Sequence, residues 1–246
     1  MKKLLCLLLT AATVTAFGQG NTLYNVNVVK PKAGMKSAFE ASWKMHLDKF
    51  HNKTDKRSIY EVTSGPENGS YVIVEGPISY ADMDKDKPNS KEHGLDLEKN
   101  FTPKLEPGND NSIFRWADTL SYRGDAKATK FLVSVTVIKD GKMPEVLTEL
   151  RRGVLINTKI NSPTSYNTMV KQLAGSTPTF VTLRNLTNGF KEMDIDYFKM
   201  APDAFKNAYI ADYGQDAWDK RIKMLTDDVV SREQHFETRR DDLSSK

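Results

Sequence analysis

Cysteine is almost missing from this chain. Among 246 residues there is one, Cys6, and it lies in the N-terminal apolar run. Beyond that run, thiol catalysis, cysteine-ligated zinc and iron–sulfur clusters are excluded, and no disulfide can staple the fold. Stability has to come from a buried core. Histidine is scarce as well, with His46, His51, His93 and His235 the four present. No H-x-x-x-H or H-E-x-x-H spacing occurs, so the sequence offers no local zinc motif and no metal site is expected. A Gly-rich phosphate loop and a G-x-S-x-G turn are also lacking. Neither sign of charge dominates: Lys and Arg number 36 against 32 Asp and Glu, and the two are interspersed. That pattern is a solvated mixed surface and not a nucleic-acid footprint. No apolar run after residue 18 is long enough for a membrane span.

What is present begins with a leader-like segment. Lys2 and Lys3 precede an apolar stretch from Leu4 to Val14, and Ala16-Phe17-Gly18 places small residues where a signal peptidase needs them. Residues 1–18 are expected to be a signal peptide cleaved before Gln19, which puts the mature protein in the periplasm or outside the cell.

The mature chain reads as strand and helix in alternation. Leu23 to Val29 alternates and is rich in β-branched residues, Pro31 and Gly34 punctuate its end, and a helix is expected from about Met35 to Phe50. Met35, Phe39, Trp43, His46 and Phe50 fall on one stripe of that helix. Strands are expected at 58–63 and 71–75 around the breaker run Gly65 to Gly69, and again at 112–122. Residues 124–130 are a polar link. The order then repeats, with a strand at 131–138, a helix to about Asn157, strands at 165–173 and 180–184, a helical stretch at 202–230 broken at Gly214, and a closing strand at 234–243. Val26 to Lys30 matches Val135 to Lys139 at a spacing of 109, and Tyr71 to Val74 matches Phe180 to Leu183 at the same spacing. Asp118 to Ser121 is echoed by Asp241 to Ser244. Together these matches predict a duplication, with a first cassette at 19–123 and a second at 131–246.

Two β-α-β-β-α-β cassettes in tandem make an α+β protein of ferredoxin-like pattern. With the strand ending in Lys30-Pro31-Lys32-Ala33-Gly34 and the long helix after it, the chain resembles the dimeric α/β-barrel superfamily, including its antibiotic-biosynthesis monooxygenase-like and NIPSNAP-like members. The resemblance implies that the two cassettes pack as an intrachain version of the dimeric barrel, sheet against sheet with helices outside. It also implies a pocket between sheet and helices, used in some relatives for haem, aromatic substrates or small acids. It carries no catalytic residue over to this chain. The physical reason for pairing is independent of the family, because a lone sheet with helices on one face leaves its other face to be buried.

His46 is the most informative polar residue, since it sits in the apolar stripe between Trp43 and Phe50. Two readings stand: a haem ligand or general base lining a cavity, or a core histidine satisfied by a sheet residue. The corresponding part of the second helix, Leu150 to Ile156, has no histidine, so a site would belong to the first cassette. Trp43, Tyr60, Tyr71 and Trp116 are candidates to line a pocket for a flat ligand, with core packing the simpler role for each. His51 is read as a helix-end cation, and His93 and His235 as residues of a polar loop and a charged strand. Arg115 and Arg184 suit either a ligand carboxylate or solvent. Asp82, Asp84 and Asp86 begin like a calcium loop but lack its later Gly and Glu. The sequence thus supports a secreted protein binding a small aromatic or haem-like molecule. Its alternatives are a monooxygenase-like enzyme centred on His46 and a non-catalytic interaction module with filled pockets.

Overall fold

The computed structural model describes residues 22–51, 56–85, 89–108, 110–172, 177–201 and 203–245. The expected signal peptide and its cleavage point lie outside them, as do Asp86 and Pro202. The eight strands are β1 (Leu23–Val29), β2 (Arg57–Val62), β3 (Tyr71–Ile78), β4 (Asp110–Trp116), β5 (Lys130–Ile138), β6 (Tyr166–Lys171), β7 (Thr179–Asn185) and β8 (Val229–Arg239). They close into one barrel in the order β1-β3-β2-β8-β5-β7-β6-β4, with every neighbouring pair antiparallel. Closure leaves no strand edge exposed. Among the described residues six helices lie outside: α1 (Lys36–Phe50), α2 (Tyr80–Met83), α3 (Ser90–Asp96), α4 (Met143–Lys159), α5 (Ala204–Tyr213) and α6 (Gln215–Asp227). A π turn, Leu97–Phe101, continues α3.

Each half of the barrel has the same local strand order, β4-β1-β3-β2 and β8-β5-β7-β6, joined at two seams. At one seam Tyr60, Glu61 and Val62 of β2 face Arg239, Thr238 and Glu237 of β8. At the other, Phe114, Arg115 and Trp116 of β4 face Lys171, Val170 and Met169 of β6. The end of each half is tied down in the same way. The Ser121 hydroxyl accepts from the Thr168 amide and donates to the Ala117 carbonyl. The Ser244 hydroxyl accepts from the Ile59 amide and donates to the Arg240 carbonyl. So the last residues of the chain cross over and pack beneath α1, where Leu243 joins the core.

Burial sorts the apolar residues into three cores. The barrel interior holds Phe114, Phe131, Val133, Met169 and Val181, with Tyr24, Val26, Tyr60 and Trp116 against them. A second core joins Phe39, Trp43 and Leu47 of α1 to Val29, Ile59, Tyr71, Ile73, Phe101, Leu105 and Leu243. Beneath α4 and α6 lie Ile138, Val146, Phe180 and Met224. Full burial of one such side chain stabilises the fold by about 1.5–3 kcal/mol before ordering costs. The close pairing of β1 with β3 requires glycine at 76, where a Cβ would meet the Tyr24 ring at 2.6 Å and the Leu23 carbonyl at 2.9 Å.

Some boundaries differ from expectation. The strand expected at 112–122 ends at Trp116, and Asp118–Leu120 forms a 3-10 turn. The last helix stops at Asp227, and β-branched Val229 and Val230 open β8 instead of closing the helix.

Candidate functional site

The five site candidates do not come together. Strand parity sends Tyr60 and Trp116 into the barrel and Tyr71 to the face under α1. Tyr60 stands edge-on to Phe131, and Trp116 lies against Tyr24. Trp43, His46 and Tyr71 share the α1 side, but Trp43 and Tyr71 act there as core. The Trp43 indole N–H donates to the Leu243 carbonyl at 2.7 Å. Tyr71 is fully buried against Phe39 and donates its hydroxyl to Glu40. Burial first, and then that bond to the carboxylate, push its pKa well above the ordinary tyrosine value. No flat-ligand box is formed by these aromatics. A cleft of about 500 Å³ opens instead in the second half, between α4 and α6, lined by Lys142, Glu149, Arg152, Lys220 and Asp228 among others. Its lining comes from α4, α6 and their ends and not from α1, and its charges are mixed.

His46 has different company. Its Nε2 lies 3.1 Å from Nε2 of His93 and 3.2 Å from Nε2 of His51, and the latter two are 3.1 Å apart. The sequence stripe placed His46 correctly on the inner face of α1, where it is 2% exposed. His51 is the residue that caps α1, and the turn there (φ −121°, ψ 15°) folds it back, also to 2% exposure. His93 comes from α3, across from the end of α1, and is half-buried. The Lys49–Glu92 ion pair at 2.6 Å ties the same two helices at the surface.

The rings fan out from a common point. Their centroids are 4.6 to 5.1 Å apart while the nitrogens are 3.1 to 3.2 Å apart. On the outer side of His46, Nδ1 meets the Asp96 carboxylate at 2.7 Å, and Asn100 holds the other carboxylate oxygen. A carboxylate accepts only, so Nδ1 carries the proton and Nε2 presents a lone pair to the centre. Burial, ahead of the opposing pull of Asp96, holds the His46 pKa below the ordinary histidine value. The hydrogen bond to His46 keeps Asp96 below the usual carboxylate range. Trp43 and Phe50 flank the ring at 5.8 and 4.9 Å.

Protons cannot satisfy this triangle. Each Nε2 has one in-plane orbital, carrying either a lone pair or a hydrogen. With three nitrogens and two possible states, at least one of the three close pairs must be lone pair against lone pair or N–H against N–H. A single cation at the centre would accept all three lone pairs at once. At a metal–nitrogen distance of about 2.1 Å, the observed spacing would correspond to N–metal–N angles of about 100°. That lies between octahedral and tetrahedral values. The end of α1 adds its own partial negative charge. These three are the histidine, cysteine or carboxylate group able to hold an ion among the described residues.

Haem ligation by His46 does not fit. Two other ring nitrogens occupy the hemisphere that a porphyrin face would need, and Nδ1 is committed to Asp96. The helix–sheet space beside it is filled by Phe39, Trp43, Leu47, Phe101 and Leu105, all nearly or fully buried.

The histidines were individually visible in the sequence, but their convergence was not. Local sequence makes His51 a helix-end cation and His93 a loop residue. The signal that existed was weak: His46 and His51 bracket the end of one helix, and a third histidine precedes Gly94.

No family model and no curated protein sequence matches the chain. Solved structures do. An anthrone oxidase-like protein superposes with a TM-score of 0.57 at 11% identity, over 90% of this chain and 92% of its own. A candidate monooxygenase from Lactobacillus acidophilus NCFM gives 0.53 at 9% identity, over 92% and 96%. The shared fold is a dimeric α/β barrel. A chlorite dismutase variant from Candidatus Nitrospira defluvii, at 0.53 and 7% identity, covers 89% of the chain and 92% of its own. Identities this low speak for the shared barrel alone, and within that dimeric α/β-barrel scaffold the histidine cluster is read from this chain's own residues.

Proposed function

We propose that the protein binds a divalent transition-metal ion through Nε2 of His46, His51 and His93. The observation that carries this is the mutual 3.1–3.2 Å spacing of three ring nitrogens that no arrangement of protons satisfies. The donor set selects the class of ion. Imidazole suits zinc, copper(II), nickel and iron(II), whereas calcium and magnesium prefer oxygen. No thiolate or thioether joins the group, so a site built for copper(I) is disfavoured. Asp96 fixes the His46 tautomer from behind, in the manner of a carboxylate–histidine–metal relay. The small-molecule reading of the first half thereby narrows from a flat aromatic to an ion, and the oxygenase reading would have to run through the same centre.

Two further readings accompany it. The paired strand order and the matching Ser121 and Ser244 ties support descent from a duplicated ferredoxin-like cassette, and the leader-like residues 1–18 support a site that operates outside the cytoplasm. The test is equilibrium dialysis of the full chain against zinc, copper(II) and nickel, followed by metal analysis. One ion per chain is expected. His46→Ala, His51→Ala and His93→Ala should each cost more than the roughly 10- to 100-fold that loss of an outer-shell partner costs. Uptake unchanged in all three variants would remove the proposal.

A further inference from the structure

We infer that the ion held by His46, His51 and His93 keeps an exchangeable coordination position and takes a small anion there, so that the centre is of the open, Lewis-acid kind and not a closed structural one. This rests on the metal-binding reading above. Structural zinc sites are closed by four protein ligands, whereas sites that do chemistry keep three and leave the fourth position to water or substrate. Here the described residues supply three. Among the described residues, three carboxylates of this region are engaged elsewhere: Asp96 with His46 and Asn100, Glu92 with Lys49, and Glu75 with Arg57 at 3.0 Å.

The geometry shows where the position lies. Angles of about 100° at the ion gather the three nitrogens on one side, so the opposite hemisphere is free of them. His46 and His51 are buried, while His93 is half-buried, on a helix whose residues other than His93 and Asp96 are exposed. The open side is therefore reached from the α1–α3 rim. Phe50 stands on that rim, 4.9 Å from His46 and edge-on to His93 at 5.1 Å. Its bulk restricts the ligand to a few atoms.

Charge gives the ligand's sign. Three neutral imidazoles leave the ion its full double positive charge. Arg57 lies close enough to weigh against protonation of His46, and Lys49 stands over the Phe50 ring at 4.8 Å. Glu75 offsets Arg57 and Glu92 offsets Lys49, and Asp96 removes one further unit from behind its histidine, so the ion with its surroundings would keep a net positive charge. The balance favours a small anion, a carboxylate or an inorganic oxyanion, over a neutral ligand. The exchange itself is simple: a bound water leaves as a donor atom of the anion takes its place, with no change in oxidation state.

The full chain loaded with cobalt(II) tests this, because the visible spectrum of cobalt(II) reports its coordination. Azide is the first probe, then acetate and inorganic phosphate. The expected result is a saturable shift of the visible bands, absent from a His46→Ala/His51→Ala control that takes up no cobalt. Cobalt bound by the native histidines with a spectrum indifferent to all three anions would mean a closed site, overturning this inference and leaving the metal-binding reading intact. No cobalt, zinc or nickel uptake, or uptake that survives in the control, would overturn that reading and the inference with it.

Discussion

Replacing Asp96 separates a metal centre from a chance meeting of three histidines. Asp96 touches none of the inward-facing nitrogens; it accepts from His46 Nδ1 at 2.7 Å on the far side of the ring. If an ion sits among the nitrogens, Asp96 does two things for it. It orients the His46 lone pair, and it places a negative charge roughly 6–7 Å from a doubly positive ion. At that separation the Coulomb term is about 1.3 kcal/mol at the dielectric constant of water and about 5 kcal/mol at an effective value of 20. Outer-shell carboxylates of this kind are worth 10- to 100-fold in metal affinity, or about 1.4–2.8 kcal/mol, which falls inside that window. Asp96→Asn keeps an acceptor for Nδ1–H and removes the charge, so it should weaken zinc binding by roughly 10-fold. Asp96→Ala removes orientation as well and should approach 100-fold.

Competition against a chromophoric chelator measures these changes directly. The control is Glu92→Gln, which removes a carboxylate from the same helix that is paired with Lys49 at the surface. It should leave affinity within about twofold, since exposed pairs contribute little. Equal losses in the Asp96 and Glu92 variants would reduce the effect to general charge. Wild-type affinity in both Asp96 variants would refute the relay from Asp96 through His46.

Three more outcomes follow from the same structure. Zinc at 100 times its Kd should stabilise the fold by about 2.7 kcal/mol. For a chain of this length that is a rise in Tm of roughly 5–11 °C, reversed by chelator and absent in His51→Ala; scanning calorimetry checks it. Burial tends to raise the Glu40 pKa, but hydrogen bonds from Arg240 and Tyr71 outweigh it and hold the carboxyl below the ordinary glutamate range; Asp242 is lowered chiefly by its hydrogen bonds with Arg240. Depressed carboxyls contribute stability above their unfolded values, about pH 4–4.5, and lose it as pH falls through the folded ones. Urea midpoints should therefore drop between about pH 5 and 3, and less steeply in Glu40→Gln; identical slopes would show that the cluster does not titrate as described. Phe39→Ala, at a fully buried position against Tyr71 and Phe101, should cost about 3–5 kcal/mol in urea unfolding, and a loss under 1 kcal/mol would show a loose core beneath α1.

Much of the barrel could be read from the chain, and the reason is periodicity. The stripe through Phe39, Trp43 and His46 belongs to a helix that covers a sheet on one face only, so its pattern is unambiguous. Strand faces were harder. A closed barrel with helices outside buries both faces of its strands, and β2 carries Ile59 under α1 and Tyr60 inside the barrel with nothing in local sequence to tell them apart. That is why Tyr60 and Trp116 were grouped with residues they never meet. The histidine cluster was illegible for another reason. His46 and His51 are five apart, which on a continuous helix turns them about 140° from each other. They meet only because α1 ends at Phe50 and the chain bends back. His93 arrives from a polar stretch whose path depends on Phe101 and Leu105 being anchored in the core.

The comparison of the two halves bears on what that centre is for. In α4 the buried positions are Val146, Gly153 and Ile156, and the three-residue step from Gly153 to Ile156 repeats the step from Trp43 to His46. A Cβ at Gly153 would lie 3.6 Å from the Arg221 guanidinium, and Arg221 also donates to the Glu149 carbonyl and lies over Phe205 and Tyr209. The second half thus spends its outer helices, α5 and α6, on sealing α4 with aromatic and ion-pair contacts. The first half covers the equivalent helix with α3, whose outward residues are exposed and whose inward ones are His93 and Asp96. If stability were the only demand, the aliphatic and aromatic solution would serve both halves, because buried polar clusters cost desolvation that apolar packing does not. An arrangement of three imidazoles that protons cannot satisfy is costly unless a cation resolves it. Its presence in the half where apolar packing would also serve supports the proposed ion as the reason for the cluster.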